Sequence, residues 1–297
     1  MDDNIKEKVA LILILVKFIS VELPIGNKYG MVLDAGSTHT SLFLYRWPGG
    51  KENNTGVVSQ VLVCNVDSPG ILSHAQDPPG AGWSLRVCLD IAQATIPADR
   101  QHSARIYLGA TAGMRLLDLQ SPGQARQVLE EVTRSIQSYP FDFRGAHIIS
   151  GQEEGAYGWI TINYLLEGFI KHYSFEREWR HPKIEEIQGA LNLGGASTQI
   201  TFDPRKSILQ PQTEVNFHLY GYDYSVYTYS YLCYGKEQAM RHTHNGHTLS
   251  TGHTVAFAFY TIGIAIDKQH VTTSVLLRCA SRINTIGFKH QYLMNII

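Results

Sequence analysis

The amino-acid sequence predicts an α/β fold in which two similar hairpins are separated by a helical region. Each hairpin begins with a short apolar strand, residues 31–33 or 190–193, and continues through a turn rich in glycine, serine and threonine into a second strand. The two turns lie 158 residues apart, from Gly36 to Gly194. Apolar residues at helical spacing predict a helix over residues 124–138 between them. Strands that alternate with helices in this way are typical of a mixed α/β domain.

The composition argues against several classes of protein. The 297 residues hold 25 lysines and arginines against 26 acidic residues, so no bulk positive field would attract nucleic acid, and no nucleic-acid partner is predicted. Hydrophobic residues make up 44 % of the chain, which excludes disordered and fibrous proteins and suffices for one bilobal unit or two domains. The four cysteines form no Cys-x-x-Cys pair, which argues against a zinc knuckle or a thioredoxin-like site.

The N-terminal residues contain an apolar run that is too short for a transmembrane helix. Residues 9–16 are uniformly apolar, Lys17 interrupts the run, and its 13 residues end at Val21, whereas a bilayer requires about 20. The run fits the apolar part of a signal peptide or a signal anchor, and a buried first strand or helix is the alternative. Residues 1–27 are therefore predicted to form a signal or anchor segment.

Two further features favour a location outside the cytoplasm. Asn53-Asn54-Thr55 is an N-glycosylation sequon in a polar stretch that is predicted to be an exposed hairpin tip, so Asn53 is a candidate glycosylation site. Cys64 and Cys88 flank a 23-residue segment rich in proline and glycine, where a disulfide would contribute about 3 kcal/mol in the chain-entropy account.

The two repeated turns have the composition of a phosphate-binding site. Residues 34–40 and 194–199 combine small residues with hydroxyl groups. Small residues at a strand turn let successive backbone N–H groups point into one concavity, and hydroxyls add further donors. A single turn of this kind is commonly no more than a turn, but the repeat favours two hairpins that grip a polyphosphate from opposite sides.

A third small-residue turn lies between the two repeats. Residues 105–108 are predicted to be a strand that enters a turn over residues 109–115, and a helix follows. The start of a helix offers free N–H groups and the positive end of a dipole, which suits an anion. A plain connection between strand and helix is the alternative.

One carboxylate stands out as a candidate for chemistry. Ser150 and Glu153 match the S-x-x-E pattern of a capping box, which assigns Glu153 a structural role at the start of a helix. Glu154 is then left uncommitted in the first turn, where it can reach a water beside a bound phosphate and act as a general base. The alternative is that Glu154 only complements the helix dipole. Trp159 on the same helix is predicted to pack in the core.

Four segments, in this order, closely resemble conserved regions one to four of the ecto-nucleoside triphosphate diphosphohydrolases, or apyrases: residues 34–40, 110–115, 150–166 and 189–202. The resemblance covers roughly residues 29–240. It implies a bilobal fold of the actin and ribonuclease-H-like type with paired phosphate-binding β-hairpins. It also implies hydrolysis of extracellular nucleoside tri- and diphosphates, such as ATP, ADP, UTP and UDP, with Ca²⁺ or Mg²⁺ as cofactor.

The resemblance also implies a role for individual residues of this chain. Glu154 matches the catalytic base of the family, and Ser197 and Gln199 match residues that position the attacking water. Asp34 and Asn192 match positions that hold the metal through its waters, and Cys64 and Cys88 match a family disulfide. The positions that match phosphate-gripping residues are Ser37, Thr38, His39, Thr111, Ala112, Gly194, Gly195, Ala196 and Ser197.

The chain departs from the family pattern in two places. Asn192 stands where the family has an aspartate, and losing one charge-assisted hydrogen bond predicts a several-fold to about thirtyfold loss of metal or transition-state binding. The resemblance stops after Met240, which implies an incomplete second lobe without its nucleoside-base pocket. The resemblance therefore divides the chain into a first lobe, the start of a second lobe and a divergent tail, over residues 28–203, 204–240 and 241–297.

The tail contains a group of histidines, His242, His244 and His247, for which a metal site and a solvated loop are the alternatives. The apolar residues 255–266 are too few to span a bilayer. The leader, the sequon and the cysteine pair, together with the resemblance, predict a protein that is either membrane-associated with an extracellular catalytic domain or secreted.

Three hypotheses for the function follow. The first is a metal-dependent nucleotide hydrolase in which Glu154 activates water. The second is a catalytically impaired, truncated nucleotide-binding isoform, because of Asn192 and the tail. The third is a sugar kinase or chaperone-like ATPase on the same general fold, against which residues 152–154 and the cysteine pair argue.

Overall fold

The structure is a computed structural model, which describes residues 26–50, 57–173, 178–180, 187–205 and 211–238. The predicted leader up to residue 25, the sequon at Asn53, the histidine group and the rest of the tail lie outside the described residues. Within the described part of the chain, no helix has the length and apolar character needed to cross a membrane.

The first sheet has five strands in the order β3-β2-β1-β4-β5. They are β1 (Lys28–Ala35), β2 (Thr40–Trp47), β3 (Ser59–Asn65), β4 (Arg105–Ala110) and β5 (Asp142–Ile148). Strands β1 and β2 form an antiparallel hairpin around the first predicted turn, whereas β4 runs parallel to β1 and to β5. The parallel pairing places the carboxyl ends of β1 and β4 side by side, so the turns that follow these strands are neighbours.

Helices and the main hydrophobic core cover one face of the first sheet. After a 3₁₀ helix over Ile71–His74, the helices are α1 (Pro78–Ser84), α2 (Arg86–Thr95), α3 (Ala98–Gln101), α4 (Ala112–Gln120) and α5 (Pro122–Gln137). The helix predicted over residues 124–138 is confirmed as α5, with Pro122 at its first position, where a missing N–H costs nothing. Its apolar stripe, including Val128 and Ile136, is fully buried against the sheet.

A disulfide joins the edge of this sheet to a helix. Cys64 of β3 and Cys88 of α2 are bonded, with their Cα atoms 5.5 Å apart, as the family resemblance implies. The bond ties an edge strand to the helical layer. Cys233 is a free cysteine.

The second sheet has four antiparallel strands in the order β10-β11-β9-β8. The elements are α6 (Gly151–Leu165), β6 (Lys171–Tyr173), β7 (Glu178–Arg180), β8 (Ala190–Leu193), β9 (Ser197–Phe202), β10 (Glu214–Leu219) and β11 (Tyr222–Leu232). Strands β6 and β7 form a separate two-stranded sheet. Helix α6 packs on the sheet formed by β8, β9 and β11. The core between them is aromatic: Trp159 is fully buried and makes edge-on contacts with Phe169 and Tyr224, so its predicted packing role is confirmed.

The lobe boundary expected after residue 203 falls between two paired strands. A boundary after residue 203 would separate β9 from β11, but these strands pair along their length, from Ser197 opposite Leu232 to Phe202 opposite Tyr227. The first sheet ends at Ile148, and α6 already packs on the second sheet. The second hairpin turn therefore belongs to the second sheet.

Candidate active site

The two repeated turns lie against each other. A Cβ atom added to Gly195 in the β8–β9 turn would lie 2.9 Å from Thr38 Cγ2 and 3.3 Å from Ser37 Cβ in the β1–β2 turn. The glycine at position 195 permits this close approach, because a Cβ atom there would press against the side chains of the first turn. Thr38 Oγ1 also lies 3.1 Å from His39 Nδ1. The structure thus brings together the two turns that the internal repeat singles out.

The third turn lies beside the first. Thr111 is buried, and its N–H donates to the Ala35 carbonyl at 3.1 Å, which extends the pairing of β1 with β4. Helix α4 begins at Ala112, and a Cβ atom on Gly113 would lie 3.0 Å from Ser37 Cα. The start of α4 and the β1–β2 turn therefore share one small region.

Residues 233–238, in the segment expected to begin the second lobe, hold the second turn. The N–H groups of Lys236 and Glu237 each donate at 2.9 Å, to the carbonyls of Gly194 and Gly195 respectively. These bonds fix the peptide planes of the turn. A Cβ atom on Gly235 would overlap the backbone of the same turn, so this position requires glycine. The signal in the sequence was a glycine after a strand, but nothing local pointed to its partner.

The predicted capping box at the start of α6 is confirmed. Ser150 Oγ accepts a hydrogen bond from the Glu153 N–H at 3.1 Å, and Glu153 Oε2 accepts one from the Ser150 N–H at 2.7 Å. Glu153 is therefore committed to the helix end. Glu154, the next residue, is 5 % exposed and points into the protein.

Glu154 is surrounded by the two residues that the resemblance places beside it. Gln199 Nε2 donates to Glu154 Oε2 at 3.0 Å, and Ser197 Oγ lies 3.4 Å from the same oxygen. Gln199 Nε2 is also 2.6 Å from Ser197 Oγ. Ser197 and Gln199 are two residues apart on β9, so both side chains point to the face of the sheet that α6 covers. The three candidate catalytic residues therefore form one cluster.

Arg115 completes the cluster. Its Nη2 donates to Glu154 Oε2 at 2.8 Å and to Ser197 Oγ at 3.2 Å, while Nη1 donates to the Ile149 carbonyl at 2.9 Å. The exposed fractions of the Arg115 and Glu154 side chains are 14 % and 6 %. The sequence places Arg115 in the third turn but indicates no role for it, since only the tertiary fold brings it to Glu154.

Burial and Arg115 act on Glu154 in opposite directions. Burial raises the pKa of the Glu154 carboxyl above its ordinary value, whereas the Arg115 guanidinium and the Ser197 hydroxyl lower it. Burial is the larger effect, so the pKa of Glu154 is raised. A carboxylate whose pKa is raised is better matched to proton transfer near neutral pH than an ordinary surface carboxylate.

Asn192 and Asp34 are the expected metal-side residues. Asn192 lies on β8 opposite Gln199, and its Nδ2 donates to Gln199 Oε1 at 3.0 Å, which leaves the Asn192 carbonyl oxygen for another partner. Asp34 lies near the end of β1, next to the first turn. Within the described residues, no group of three or more His, Cys, Asp or Glu side chains could hold a metal directly. The oxygens of Asp34 and Asn192 are of the kind that Ca²⁺ and Mg²⁺ prefer, and an ion with so few protein ligands would keep several of its waters.

Comparison with known proteins identifies the family. The model of the GDA1/CD39 (nucleoside phosphatase) family matches residues 20–254. The chain belongs to the GDA1/CD39 family. The motif resemblance to ecto-nucleoside triphosphate diphosphohydrolases is thereby confirmed, and the match includes all three turns and Glu154.

Several members of the GDA1/CD39 family are close in sequence. Ectonucleoside triphosphate diphosphohydrolase 8 of Gallus gallus is 57 % identical over 233 residues, which cover 78 % of this chain and 47 % of that protein. Ectonucleoside triphosphate diphosphohydrolase 2 of Mus musculus is 53 % identical, over 78 % of this chain and 46 % of that protein. The chain thus spans about half the length of the curated relatives it matches.

A solved structure confirms the fold class. The crystal structure of nucleoside triphosphate hydrolases from Neospora caninum matches 79 % of this chain and 50 % of that chain, with a TM-score of 0.51 and 17 % identity. The α/β fold of the actin and ribonuclease-H-like type, expected from the conserved regions, is the fold of this GDA1/CD39 member.

Proposed function

We propose that this chain hydrolyses nucleoside tri- and diphosphates to release phosphate, with Glu154 as the general base. The observation that carries the proposal is the buried cluster in which Glu154 Oε2 contacts Arg115, Ser197 and Gln199 within 3.4 Å. A carboxylate that is 5 % exposed and fully engaged on one oxygen is costly to bury, and such groups are enriched at catalytic sites. Membership of the GDA1/CD39 family supports the same reaction.

The turns provide the phosphate grip in this proposal. Ser37, Thr38 and His39 lie in the first turn, opposite Gly194, Gly195 and Ala196 in the second. Thr111 and Ala112 lie beside the first turn at the start of α4, where the helix dipole favours an anion. Because the turns come from different sheets, the phosphate chain would be held from both sides.

The proposed cofactor is Ca²⁺ or Mg²⁺, with Asp34 and Asn192 in contact with its water shell. A divalent cation held there would neutralise charge on the phosphate oxygens of the substrate. The Asn192 carbonyl oxygen is available for this role because its Nδ2 is bound to Gln199. Divalent-cation dependence is general in the family, and the choice between the two ions belongs to the proposal.

The reaction needs one proton transfer and no covalent intermediate with the protein. Ser197 and Gln199 orient a water, and Glu154 accepts a proton from it as its oxygen attacks the terminal phosphorus. A bond forms between the water oxygen and phosphorus, and the bond from phosphorus to the bridging oxygen breaks in line with it. The electron pair leaves with the nucleoside di- or monophosphate, and the proton remains on Glu154 until solvent removes it.

The proposed substrates are ATP, ADP, UTP and UDP on the extracellular side of a membrane or in a secretory environment. The names of the relatives refer to ectoenzymes, and the Cys64–Cys88 disulfide suits an oxidising compartment. The division into two lobes, membrane association and a glycan at Asn53 belong to the same proposal.

The second candidate function is nucleotide binding with impaired catalysis. The observation that favours it is Asn192, a neutral side chain whose Nδ2 is committed to Gln199, so it offers a cation only a carbonyl dipole. A sugar kinase or chaperone-like ATPase receives no support, since the family is one of nucleoside phosphatases.

The experiment that separates these functions is phosphate release from ATP and ADP by the purified chain, with Ca²⁺, with Mg²⁺ and with chelator. We expect turnover that the chelator abolishes and that Glu154→Gln lowers about 10²- to 10⁴-fold, the usual contribution of a general base. Glu130→Gln, on the exposed face of α5, is the matched control and should retain full activity. Nucleotide binding without phosphate release in the folded wild type would instead establish the second candidate.

A further inference from the structure

Arg115 connects three parts of the molecule that are far apart in sequence. It lies in the first turn of α4, and its guanidinium reaches the Ile149 carbonyl before α6, Glu154 in α6 and Ser197 in β9. The side chain is 14 % exposed, so these contacts are made largely away from water. Arg115 is thus the point at which the helical layer of the first sheet meets the residues of the second sheet.

The contacts of Glu154 are unequally divided between its two oxygens. Arg115, Ser197 and Gln199 all contact Oε2, at 2.8, 3.4 and 3.0 Å. Oε1 makes no hydrogen bond to a described residue. The carboxylate therefore has one oxygen that three described side chains hold and one without a hydrogen bond to a described residue.

We propose that Arg115 is a positioning residue that holds Glu154 by Oε2 and thereby presents Oε1 to the attacking water. The inference rests on the proposed function and assigns it a residue beyond the candidate catalytic set. Arginine suits this task because its planar fork binds two acceptors at fixed angles. Here one nitrogen is anchored on the Ile149 carbonyl while the other holds the carboxylate.

Arg115 supplies the positive charge next to the Glu154 carboxylate, whereas the other groups that contact this carboxylate are neutral. From the second sheet, neutral groups face the carboxylate: Ser197 and Gln199 of β9 and, through Gln199, Ser230 of β11. On its own helix, Glu153 is engaged in the capping box. Within the described part of the chain, Arg115 is the cation in contact with Glu154, and its charge lowers the pKa that burial raises.

The first arm of the test measures activity in the full chain. Arg115→Gln removes the charge, Arg115→Lys keeps it without the fork, and Arg115→Ala leaves space for added guanidinium. We expect Arg115→Gln to lower kcat about 10- to 100-fold with little change in KM, within the contribution of a general base.

The acid limb of the pH profile of Arg115→Gln should move to higher pH, because the effect of burial on the pKa of Glu154 is then unopposed by the Arg115 charge. Guanidinium should restore Arg115→Ala about fivefold or more, and Arg134→Gln on exposed α5 should behave as wild type.

The second arm does not depend on activity. A double-mutant cycle in urea unfolding compares wild type, Arg115→Gln, Glu154→Gln and the double variant. If the two residues did not interact, the effects of the single variants on the unfolding equilibrium constant would multiply in the double variant. We expect the double variant to differ from that product by about tenfold or more. Arg115→Lys, which can still pair with Glu154, provides a second folded variant if Arg115→Gln is unstable.

The outcomes separate this inference from the proposed function. The positioning role would be overturned if wild type hydrolyses nucleotide and folded Arg115→Gln has the same kcat and the same acid limb of the pH profile. A rise in KM alone would also overturn it, because Arg115 would then bind phosphate. A wild type that is folded and coupled in the cycle but hydrolyses no nucleotide would overturn the proposed function, while Arg115 would still position Glu154.

Discussion

Asn192 and Gln199 face each other across β8 and β9, and Asn192 Nδ2 donates to Gln199 Oε1 at 3.0 Å. This contact determines the direction of the Gln199 amide. An ionised Glu154 carboxylate only accepts hydrogen bonds, so the NH₂ group of Gln199 faces it and the carbonyl faces Asn192. The asparagine is therefore part of the cluster that holds Glu154, as well as a metal-side candidate.

Replacement of Asn192 by aspartate should strengthen cation binding. A carboxylate adds a negative charge to the proposed water shell, and a charge-assisted hydrogen bond exceeds a neutral one by roughly 1–2 kcal/mol. We expect Asn192→Asp to lower the half-saturating Mg²⁺ or Ca²⁺ concentration several-fold to about thirtyfold in the phosphate-release assay. Asn192→Leu should raise it, and equal cation requirements in all three proteins would exclude a metal-side role for this residue.

The activity should be lost on the acid side at a pH above the ordinary titration of glutamate. Burial raises the pKa of Glu154 above 4.5, and a general base works only when ionised. The rate should therefore decline as the pH falls through this raised pKa. The measurement is kcat/KM for ATP from pH 4.5 to 8, and an acid limb centred at or below 4.5 would contradict the assignment of Glu154.

The raised pKa of Glu154 should also change how the free energy of unfolding depends on pH. Because the folded-state pKa of Glu154 is raised, its contribution to stability is fully present below the unfolded pKa, about 4.3, and is lost as the pH rises through the folded value. The unfolding free energy of wild type minus that of Glu154→Gln should thus decrease as the pH rises. Urea unfolding at several pH values measures the slope, and an increase with pH would show that Arg115 outweighs burial.

Gly235 should be far less tolerant of a side chain than an open glycine. A Cβ atom there overlaps the backbone of the second turn at Ala196 and Ser197, whereas a Cβ atom on Gly123 meets nothing within 4 Å. We expect Gly235→Ala to cost about 1–3 kcal/mol, as overpacking usually does. Gly123→Ala in α5 should be neutral or stabilise by about 0.5–1 kcal/mol. Equal unfolding free energies for the two variants would contradict the contact.

The disulfide should contribute to stability without contributing to the chemistry. It closes a loop with a sequence separation of 24 between β3 and α2. We expect the Cys64→Ser, Cys88→Ser double variant to lose about 3 kcal/mol of unfolding free energy. Cys233→Ser tests whether any effect comes from loss of thiols in general, since Cys233 is free. A double variant as stable as wild type would be the contrary result.

Local patterns were sufficient to predict several parts of the structure. The hairpin turns, helix α5 and the Ser150–Glu153 capping box depend on residues that are close in the sequence. The capping box also leaves Glu154 as the uncommitted carboxylate, which lies in the buried cluster with Arg115 and Gln199. These features could be predicted because propensity, periodicity and hydrogen bonding agree over short stretches.

Features that depend on distant contacts could not be predicted. Arg115 and Glu154 are 39 residues apart and meet only because α4 and α6 approach from different layers. The pairing of β9 with β11 also joins strands on either side of the lobe boundary that the resemblance implies. The need for glycine at position 235 likewise arises from a turn about forty residues earlier.

The amide of Gln199 carries two hydrogens but has three acceptors within reach: Glu154 Oε2, Ser197 Oγ and Ser230 Oγ, at 3.0, 2.6 and 3.0 Å. Each amide hydrogen points to one acceptor at a time, so the third acceptor must receive its hydrogen bond from another donor. Each serine hydroxyl can both donate and accept a hydrogen bond. The cluster therefore has more than one proton arrangement on a single set of heavy-atom positions, and it can reorganise around a newly arrived water by hydroxyl rotation alone.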